Sequence, residues 1–226
     1  MKAIILAAGV GSRLEKSIPK TLTKLDNNET ILERQLNFLN QYISKKDIII
    51  IVGYKKELII KEFPNYKTIY NKHYSETNTA KSLMLGLAKI YDEDIIWING
   101  DVVFNKMVLE PIMNFNESCM LVNTMSVGEE EIKYTVNSNG YINQVSKVVS
   151  NGLGEAVGIN RISKAHLTEF KKALEECNQN DYFEYALEIM IKKNLKLSPI
   201  DISDSFCMEI DFKSDLELVN KNIQKI

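Results

Sequence analysis

The chain has 226 residues, enough for one α/β domain whose core forms without disulfides. Hydrophobic residues make up 45%, charged residues 26%, and the formal net charge is −2, which disfavours a nucleic-acid-binding surface. Three separated cysteines without a C-x-x-C pair, and no apolar run near the roughly eighteen residues of a membrane span, predict a cytoplasmic protein with reduced thiols and no membrane insertion.

The first half of the chain alternates predicted strands and helices. The strands are predicted over 2–6, 47–52, 67–71 and 94–99, and the helices over 31–42, 55–63, 78–91 and 106–115. Thr30 and Glu33 have the spacing of a capping box, and the run of Ile and Val over 48–52 is typical of a strand buried on both faces. This alternation predicts an α/β fold with an open, mostly parallel, Rossmann-like sheet flanked by helices.

The second half of the chain has a different pattern of predicted elements. Short strands are predicted over 118–125, 131–137, 141–148, 154–160 and 195–202, and helices over 164–177, 182–193 and from about 214. Asn137 to Gly140 form a hairpin turn signal, and Ser214 with Glu217 has capping-box spacing. We therefore expect a small antiparallel β portion over one end of the sheet, within a single domain.

A loop of small residues follows the first strand. Its members are Leu6, Ala7, Ala8, Gly9, Gly11, Ser12 and Arg13. Gly9 and Gly11 can adopt positive φ, so that successive backbone N–H groups can cradle phosphate oxygens. The loop is neither a Walker A motif nor a complete G-x-G-x-x-G, since position 14 is Leu. Arg13 can donate two parallel hydrogen bonds to phosphate oxygens, and Lys20 could stabilise charge on an α-phosphate. The alternative is a glycine turn with two solvated cations.

Two aspartates follow strand ends. Asp101 comes directly after Asn99-Gly100, and Asp211 closes the segment Met208 to Asp211. Because the carboxyl ends of parallel strands face one crevice, both should lie opposite the glycine loop. Two carboxylates there would bind Mg²⁺ together with phosphate oxygens and water. A Gly-Asp turn and a helix N-cap are the alternatives. An attacking phosphate or phosphonate is already ionised, so the chemistry requires no protein nucleophile.

Several of these motifs resemble those of a known family. L-A-A-G-x-G-S-R-L followed by P-K, at 6–14 and 19–20, is similar to the opening of the sugar-phosphate and phosphocholine-type nucleotidyltransferases, although the spacer 15–18 is shorter than usual. G-D at 100–101 and E-I-D at 209–211 extend the resemblance through most of the chain. It implies that the loop binds an NTP, that Lys20 and Arg13 are catalytic cations, and that Asp101 and Asp211 hold Mg²⁺.

The same resemblance extends to the base and the acceptor. The stretch 75–83 looks like the N-N-x-x-S-L region of phosphocholine cytidylyltransferases, which implies CTP as the nucleotide and contacts from Asn78 and Ser82. A plain N-capped helix explains that spacing equally well. The strand 154–159 and the stretch 181–184 resemble the acceptor pocket of the same branch. The candidate acceptor residues are Lys147, Glu155, Tyr182 and Glu184.

Aromatic faces beside carboxylates suit a cationic amine, whereas core packing and an exposed strand lysine are the simpler explanations.

The sequence thus predicts one domain over 1–226, with an NTP-binding half at about 1–115 and an acceptor-binding half at about 116–226. The expected reaction is transfer of CMP to a small phosphorylated or phosphonylated acceptor, such as phosphocholine, phosphoethanolamine, aminoethylphosphonate or a phospho-polyol, with release of pyrophosphate. We expect a role in cell-surface polysaccharide or lipid biosynthesis.

Three other functions stay open at this stage. The first is a sugar-1-phosphate nucleotidylyltransferase that uses UTP, GTP or dTTP. The second is a nucleotide-sensing module without turnover. The third, a NAD-dependent oxidoreductase, is disfavoured because the loop lacks its third glycine and Gly53-Tyr54 stands where an acidic residue is expected. The sequence does not decide between a monomer and a homodimer.

Overall fold

The computed structural model of the protein describes residues 1–11, 14, 17–125, 128 and 131–223. Its strands are β1 (Lys2–Ala7), β2 (Ile48–Val52), β3 (Lys67–Tyr70), β4 (Ile95–Asn99), β5 (Val102–Phe104), β6 (Cys119–Asn123), β7 (Lys133–Val136), β8 (Ile142–Ser146), β9 (Gly154–Ile162), β10 (Ser198–Asp201) and β11 (Cys207–Glu209). Its α-helices are α1 (Ile31–Leu39), α2 (Lys56–Glu62), α3 (Thr79–Leu87), α4 (Leu109–Asn114), α5 (Lys164–Glu176), α6 (Phe183–Lys192) and α7 (Lys213–Asn222).

Four parallel strands form the first half of the main sheet, in the order β4-β1-β2-β3. Leu6 of β1 lies opposite Ile51 of β2 on one side and Asn99 of β4 on the other. Every residue of β2 is buried, as its unbroken run of Ile and Val predicts for a central parallel strand. The carboxyl ends of β1 and β4 therefore lie side by side, and the predicted open parallel sheet is confirmed.

The second half continues the same sheet. The antiparallel strand β9 pairs with both β4 and β6, β10 pairs parallel to β6, and the β7–β8 hairpin attaches to β9. The order β10-β6-β9-β4-β1-β2-β3 runs through both predicted halves. The expected antiparallel portion is confirmed, although it extends the sheet through β9 instead of lying over one end of it.

Helices cover both faces of this sheet. Trp97 of β4 is fully buried, and it stacks on Phe170 of α5 at 5.2 Å between ring centroids and meets Phe183 of α6 edge-on at 5.4 Å. On the opposite face, Leu32 and Leu36 of α1 pack in a second core with Ile5 and Ile50. All three cysteines are buried and free, as expected. Among the described helices, none has the length and apolar character needed to cross a membrane.

Two local predictions differ from the structure. The strand β5 was not expected, and it pairs antiparallel with β11 in a separate small sheet. The expected Ser214 cap is wrong: α7 begins at Lys213, and the Asp215 carboxylate accepts the backbone N–H groups of Asp211 and Phe212 at 2.9 and 2.7 Å. A charged carboxylate near the helix start is the stronger acceptor, and it also interacts favourably with the helix dipole.

Candidate functional site

A cleft of about 1220 Å³ opens at the carboxyl ends of β1 and β4. It is also lined by β11 and by the start of α3 and of α6, so both halves of the chain contribute to it. The predicted site residues that line it are Leu6, Ala7, Gly9, Gly11, Lys20, Asn78, Asp101, Lys147, Glu155, Tyr182, Glu184 and Asp211. Residues far apart in sequence thus meet around one space, as the strand-end argument predicts.

Lys20 bridges the two predicted metal ligands. Its Nζ donates hydrogen bonds to Asp101 Oδ2 at 2.7 Å and to Asp211 Oδ1 at 2.5 Å. The lysine side chain is only 13% exposed. Burial lowers the pKa of Lys20, but the charges and hydrogen bonds of Asp101 and Asp211 together outweigh it and raise the pKa above its ordinary value. The ammonium therefore stays charged, and one cation holds both carboxylates at the same point.

Close backbone packing places the first of these acids. The N–H of Gly100 donates to the carbonyl oxygen of Leu6 at 3.0 Å, and a Cβ at position 100 would lie 2.6 Å from that oxygen. Only glycine fits so close an approach, which fixes the turn carrying Asp101 against the end of β1. The G-D pair that the sequence singled out is thus a geometric unit.

The unexpected β5–β11 pair places the second acid. Glu209 of β11 lies opposite Val102 of β5, and the N–H of Ile210 donates to the carbonyl oxygen of Asp101 at 3.0 Å. Asp211 follows immediately. The two aspartates are therefore neighbours because a three-residue strand after Asp101 pairs with the strand before Asp211.

The glycine loop packs against the same lysine. Gly11 has a φ of 64°, and a Cβ there would lie 2.7 Å from the Cβ of Lys20. Gly9 does not adopt positive φ, but a Cβ at this position would meet nothing within 4 Å, so its backbone faces open space in the cleft. Ser12 and Arg13 lie outside the described residues, and their contacts with phosphate stay predictions.

A partly buried carboxyl group, that of Glu209, lies beside the aspartates. Asn99 Nδ2 donates to Glu209 Oε1 at 2.9 Å, and Gly158, at a φ of 73°, leaves room for this amide, since a Cβ there would lie 2.7 Å from Nδ2. Burial, followed by the charge of Asp101, raises the pKa of Glu209 well above its ordinary value. Sequence reasoning missed Asn99, although it directly precedes the G-D pair.

Other lining residues were also missed. They include Thr21, Thr79, Asn123, Phe206, Met208, Phe212, Asp215 and Leu218. Phe212 and Asp215 follow the E-I-D segment within four positions, so proximity to that segment was the available signal. Asn123 ends β6, and the sequence did not predict where β6 lies in the sheet.

Two predicted nucleotide contacts lie outside the cleft lining. Ser82 is buried, and its Oγ accepts a hydrogen bond from Asn71 Nδ2 at 3.1 Å. Ala8 is buried, and its carbonyl oxygen accepts the N–H of Tyr54. Asn78 lines the cleft, where its side chain caps α3 by accepting the Thr79 N–H at 2.8 Å. The alternative interpretation, a plain N-capped helix, thus accounts for the contacts of Asn78 in the structure.

The candidate acceptor residues Lys147, Glu155, Tyr182 and Glu184 line a second part of the cleft, the acceptor end. The Nζ of Lys147 lies 5.2 Å from the centroid of the Tyr182 ring. Glu184 is 5% exposed, and burial raises the pKa of its carboxyl to about 7 against the opposing effects of its own backbone N–H and of Lys147. Burial, with the charge of Glu131, likewise raises the pKa of Glu155 to about 7. This end therefore carries two carboxyl groups that are poorly solvated.

The carboxylates of Asp101 and Asp211, at the triphosphate end of the cleft, suit Mg²⁺. Asp101 and Asp211 present hard carboxylate oxygens to one point, which the Lys20 ammonium contacts in the structure. Within the described ranges, no three His, Cys, Asp or Glu side chains form a ready-made cage for a metal ion. Mg²⁺ prefers such incomplete sites, because it takes one or two carboxylates and completes its shell with substrate phosphates and water.

Comparison with known proteins gives a consistent result. Residues 3–152 match the model of the MobA-like NTP transferase domain. The chain is 42% identical over 90 residues to a choline-phosphate cytidylyltransferase of Streptococcus pneumoniae, an alignment that spans 38% of each protein. It is 27% identical to a CTP:phosphoglutamine cytidylyltransferase of Campylobacter jejuni, over 96% of this chain and 98% of that protein.

A solved structure shows the same fold. The inositol-1-phosphate CTP transferase from T. maritima superposes with a TM-score of 0.83, over 99% of this chain and 95% of that one, at 20% identity. At this identity the likeness concerns the path of the backbone. The backbone arrangement that forms the cleft is therefore shared with that solved structure.

Proposed function

The chain belongs to the family of MobA-like NTP transferase domains, and we propose that it is a CTP-dependent cytidylyltransferase acting on a small phosphorylated or phosphonylated acceptor. The observation that carries the proposal is the meeting of Lys20, Asp101 and Asp211 beside the glycine loop. Family membership supports nucleotidyl transfer. The choice of CTP is supported by the Streptococcus and Campylobacter relatives, whose names state a cytidylyltransferase activity.

The reaction follows from the charges in the cleft. An oxygen of the acceptor phosphate or phosphonate attacks the α-phosphorus of CTP, and the bond from that phosphorus to the bridging oxygen of the β-phosphate breaks. The bonding electron pair leaves with pyrophosphate. Both reactants are anions, so the residues of the cleft must reduce their mutual repulsion. Charge neutralisation across the triphosphate is the chemistry that Mg²⁺ supplies when it is held by Asp101 and Asp211.

Lys20 has two roles in this scheme. Without ligand, its ammonium holds the two carboxylates together. With nucleotide bound, the same ammonium stabilises charge that develops on the α-phosphate, and the glycine-loop N–H groups hold the other phosphate oxygens. The packing of Gly11 on the Lys20 side chain keeps loop and lysine in one unit. Arg13 is proposed as a second phosphate contact from the same loop.

A substrate panel tests this proposal. Pyrophosphate release is measured with CTP, UTP, GTP and dTTP against phosphocholine, phosphoethanolamine, aminoethylphosphonate, glycerol phosphate and sugar 1-phosphates. We expect release with CTP and one of the small amine or polyol acceptors, and we expect it to require Mg²⁺. Release confined to UTP, GTP or dTTP with a sugar 1-phosphate would contradict the proposal. Nucleotide binding without release for any pair would indicate a sensing module instead.

A further inference from the structure

Hydrogen bonds join the start of α3 to the start of α6. The N–H of Asn78 donates to the carbonyl oxygen of Gln179 at 2.8 Å, just before α6. In the opposite direction, the N–H of Phe183 donates to Thr79 Oγ1 at 3.1 Å. The helix that opens with a predicted nucleotide contact is therefore bonded directly to the helix that opens with the predicted acceptor contacts.

The bond between Phe183 and Thr79 caps α6 from another helix. Phe183 is the first residue of α6, so its N–H has no acceptor inside the helix. The residue that precedes a helix usually supplies an acceptor, but within the described chain the Tyr182 side chain makes no capping hydrogen bond. The Thr79 hydroxyl supplies it instead, from 104 positions away in the sequence. Position 182 can therefore carry an aromatic side chain where a capping residue would otherwise stand.

This aromatic side chain lines the acceptor end of the cleft. Tyr182 is 41% exposed, and its ring centroid lies 5.2 Å from the Nζ of Lys147. The next residue, Phe183, is 1% exposed and packs edge-on against Trp97 of β4. Core packing of Phe183 thus fixes the start of α6 against the sheet, and the Thr79 hydroxyl fixes it against α3.

Helix α3 is itself fixed to the strand that leads into the glycine loop. A Cβ at Gly86 of α3 would lie 3.0 Å from the Cδ1 atoms of both Ile4 of β1 and Ile51 of β2, so helix and strands pack closely. A series of direct contacts therefore runs from β1 through α3 and Thr79 to the helix start that carries Tyr182.

We propose that Thr79 is a positioning residue for the acceptor, because its hydroxyl holds the start of α6, and with it Tyr182, at a fixed place relative to the nucleotide. The inference rests on the proposed function, since it concerns the acceptor of that reaction. Transfer requires the attacking oxygen to lie close to the α-phosphorus and in line with the leaving group, so a small displacement of the acceptor lowers the rate. Loss of the hydroxyl should therefore impair use of the acceptor and spare the binding of CTP.

Substitutions at position 79 separate the hydroxyl from the rest of the side chain. Thr79→Val and Thr79→Ala both remove it, and valine keeps the β-branched shape, whereas Thr79→Ser retains the hydroxyl. Thr30→Val is the matched control, because Thr30 Oγ1 accepts the Glu33 N–H at 3.1 Å and caps α1, on the opposite face of the sheet from α3 and α6.

Four quantities are measured for each protein. They are kcat/KM for the acceptor at saturating CTP, the Kd of CTP by calorimetry, amide hydrogen exchange of the first turn of α6, and thermal unfolding. The acceptor is whichever of phosphocholine, phosphoethanolamine, aminoethylphosphonate and glycerol phosphate the wild type converts fastest.

The two variants without the hydroxyl should lower kcat/KM for the acceptor at least about fivefold, the value of one helix cap, and should speed exchange in the first turn of α6 by a similar factor. Their Kd for CTP should change less than about twofold. Thr79→Ser should match the wild type in every measurement. Thr30→Val should unfold at a lower temperature and keep the wild-type kcat/KM.

Four results would overturn the inference. The first is unchanged acceptor kcat/KM in a folded variant without the hydroxyl, and the second is an equal loss in Thr79→Ser. The third is weaker CTP binding as the main effect, which would make Thr79 a nucleotide contact. The fourth is an equal loss in Thr30→Val, which would reduce the effect to general destabilisation. Failure of the proposed function is distinguishable, because the wild type itself would then release no pyrophosphate with any acceptor, and the inference would fall with it.

Discussion

The two ends of the cleft satisfy their charges in different ways. At the triphosphate end the protein supplies the partners: Lys20 contacts both Asp101 and Asp211, and Asn99 donates to Glu209. At the acceptor end, Glu184 Oε2 has no partner within the described chain. A site for a ligand of fixed chemistry can be built from internal ion pairs that exchange on binding. An unsatisfied buried carboxyl oxygen destabilises the fold, whereas the Lys20 ion pairs leave neither aspartate without a counter-charge.

The largest expected effect lies at the triphosphate end. Lys20→Ala should lower kcat for pyrophosphate release at least about a hundredfold, because loss of one transition-state charge contact costs about 3 kcal/mol. Lys24→Ala, at an exposed position four residues later, is the control and should keep its rate. A Lys20→Ala enzyme that turns over nearly as fast as the wild type would remove Lys20 from the mechanism.

Next in size is an effect on stability at Gly158 of β9, which contacts the Asn99 side chain. Gly158→Ala should lower the free energy of unfolding by about 2 kcal/mol, since position 158 combines a φ of 73° with a Cβ contact of 2.7 Å to Asn99. Gly140→Ala tests φ alone, because Gly140 has a φ of 81° and a Cβ there meets nothing within 4 Å.

Urea denaturation of both glycine variants measures the difference. Gly140→Ala should lose only about 1 kcal/mol, the cost of the backbone conformation. Equal losses in the two variants would mean that the contact between position 158 and the Asn99 amide has no energetic weight.

A smaller effect follows from the internal ion pair. Lys20→Met should bind Mn²⁺ about tenfold more tightly than the wild type in the absence of nucleotide, because the ammonium no longer competes for Asp101 and Asp211; this corresponds to about 1.4 kcal/mol. An electron paramagnetic resonance titration of free Mn²⁺ gives the affinity. Unchanged or weaker binding in Lys20→Met, with Lys24→Met as reference, would argue against competition at these carboxylates.

The smallest predicted effect concerns the acceptor end. Because the pKa of Glu184 is about 7 in the folded protein and its ordinary value is 4.5, the unfolded chain ionises first as the pH rises. Wild-type stability should therefore fall between about pH 4.5 and 7 and stay low above that range. Glu184→Gln removes this loss and should be more stable at pH 8, by on the order of 1 kcal/mol.

Denaturation of both proteins at pH 4 and pH 8 tests the sign. The stability difference should be small at the lower pH and favour the glutamine variant at the higher one. A variant that is less stable than the wild type at pH 8 would mean that Glu184 is well solvated or paired.

The parts of this molecule that the sequence predicted are those with local signals. The alternating strands and helices predicted the parallel sheet, and the strand-end rule predicted that Asp101 and Asp211 share one crevice. The resemblance on residues 6–14 and 19–20 led to the correct family. Lys20 was singled out by its position after Pro19 and by that resemblance.

The remaining parts depend on tertiary pairing. The strand β5 has three residues, too few for a periodic signal, and it forms because β11 returns beside it. Ser82 matched a family pattern, but helix α3 turns its hydroxyl towards Asn71. Whether Glu184 Oε2 finds a hydrogen-bond partner depends on the tertiary packing around it, which the sequence did not predict. The cytoplasmic location stays a prediction, and the choice between a monomer and a homodimer stays open.

The most direct test of the central claim is a titration of CTP at several Mg²⁺ concentrations. Wild-type protein, Asp101→Asn and Asp211→Asn are compared, with the exposed Asp204→Asn as control. We predict that Mg²⁺ tightens CTP binding to the wild type and to the control, and that each of the other two variants needs at least about tenfold more Mg²⁺ for the same affinity. An identical Mg²⁺ requirement in all four proteins would contradict a metal-bound triphosphate held between Asp101 and Asp211.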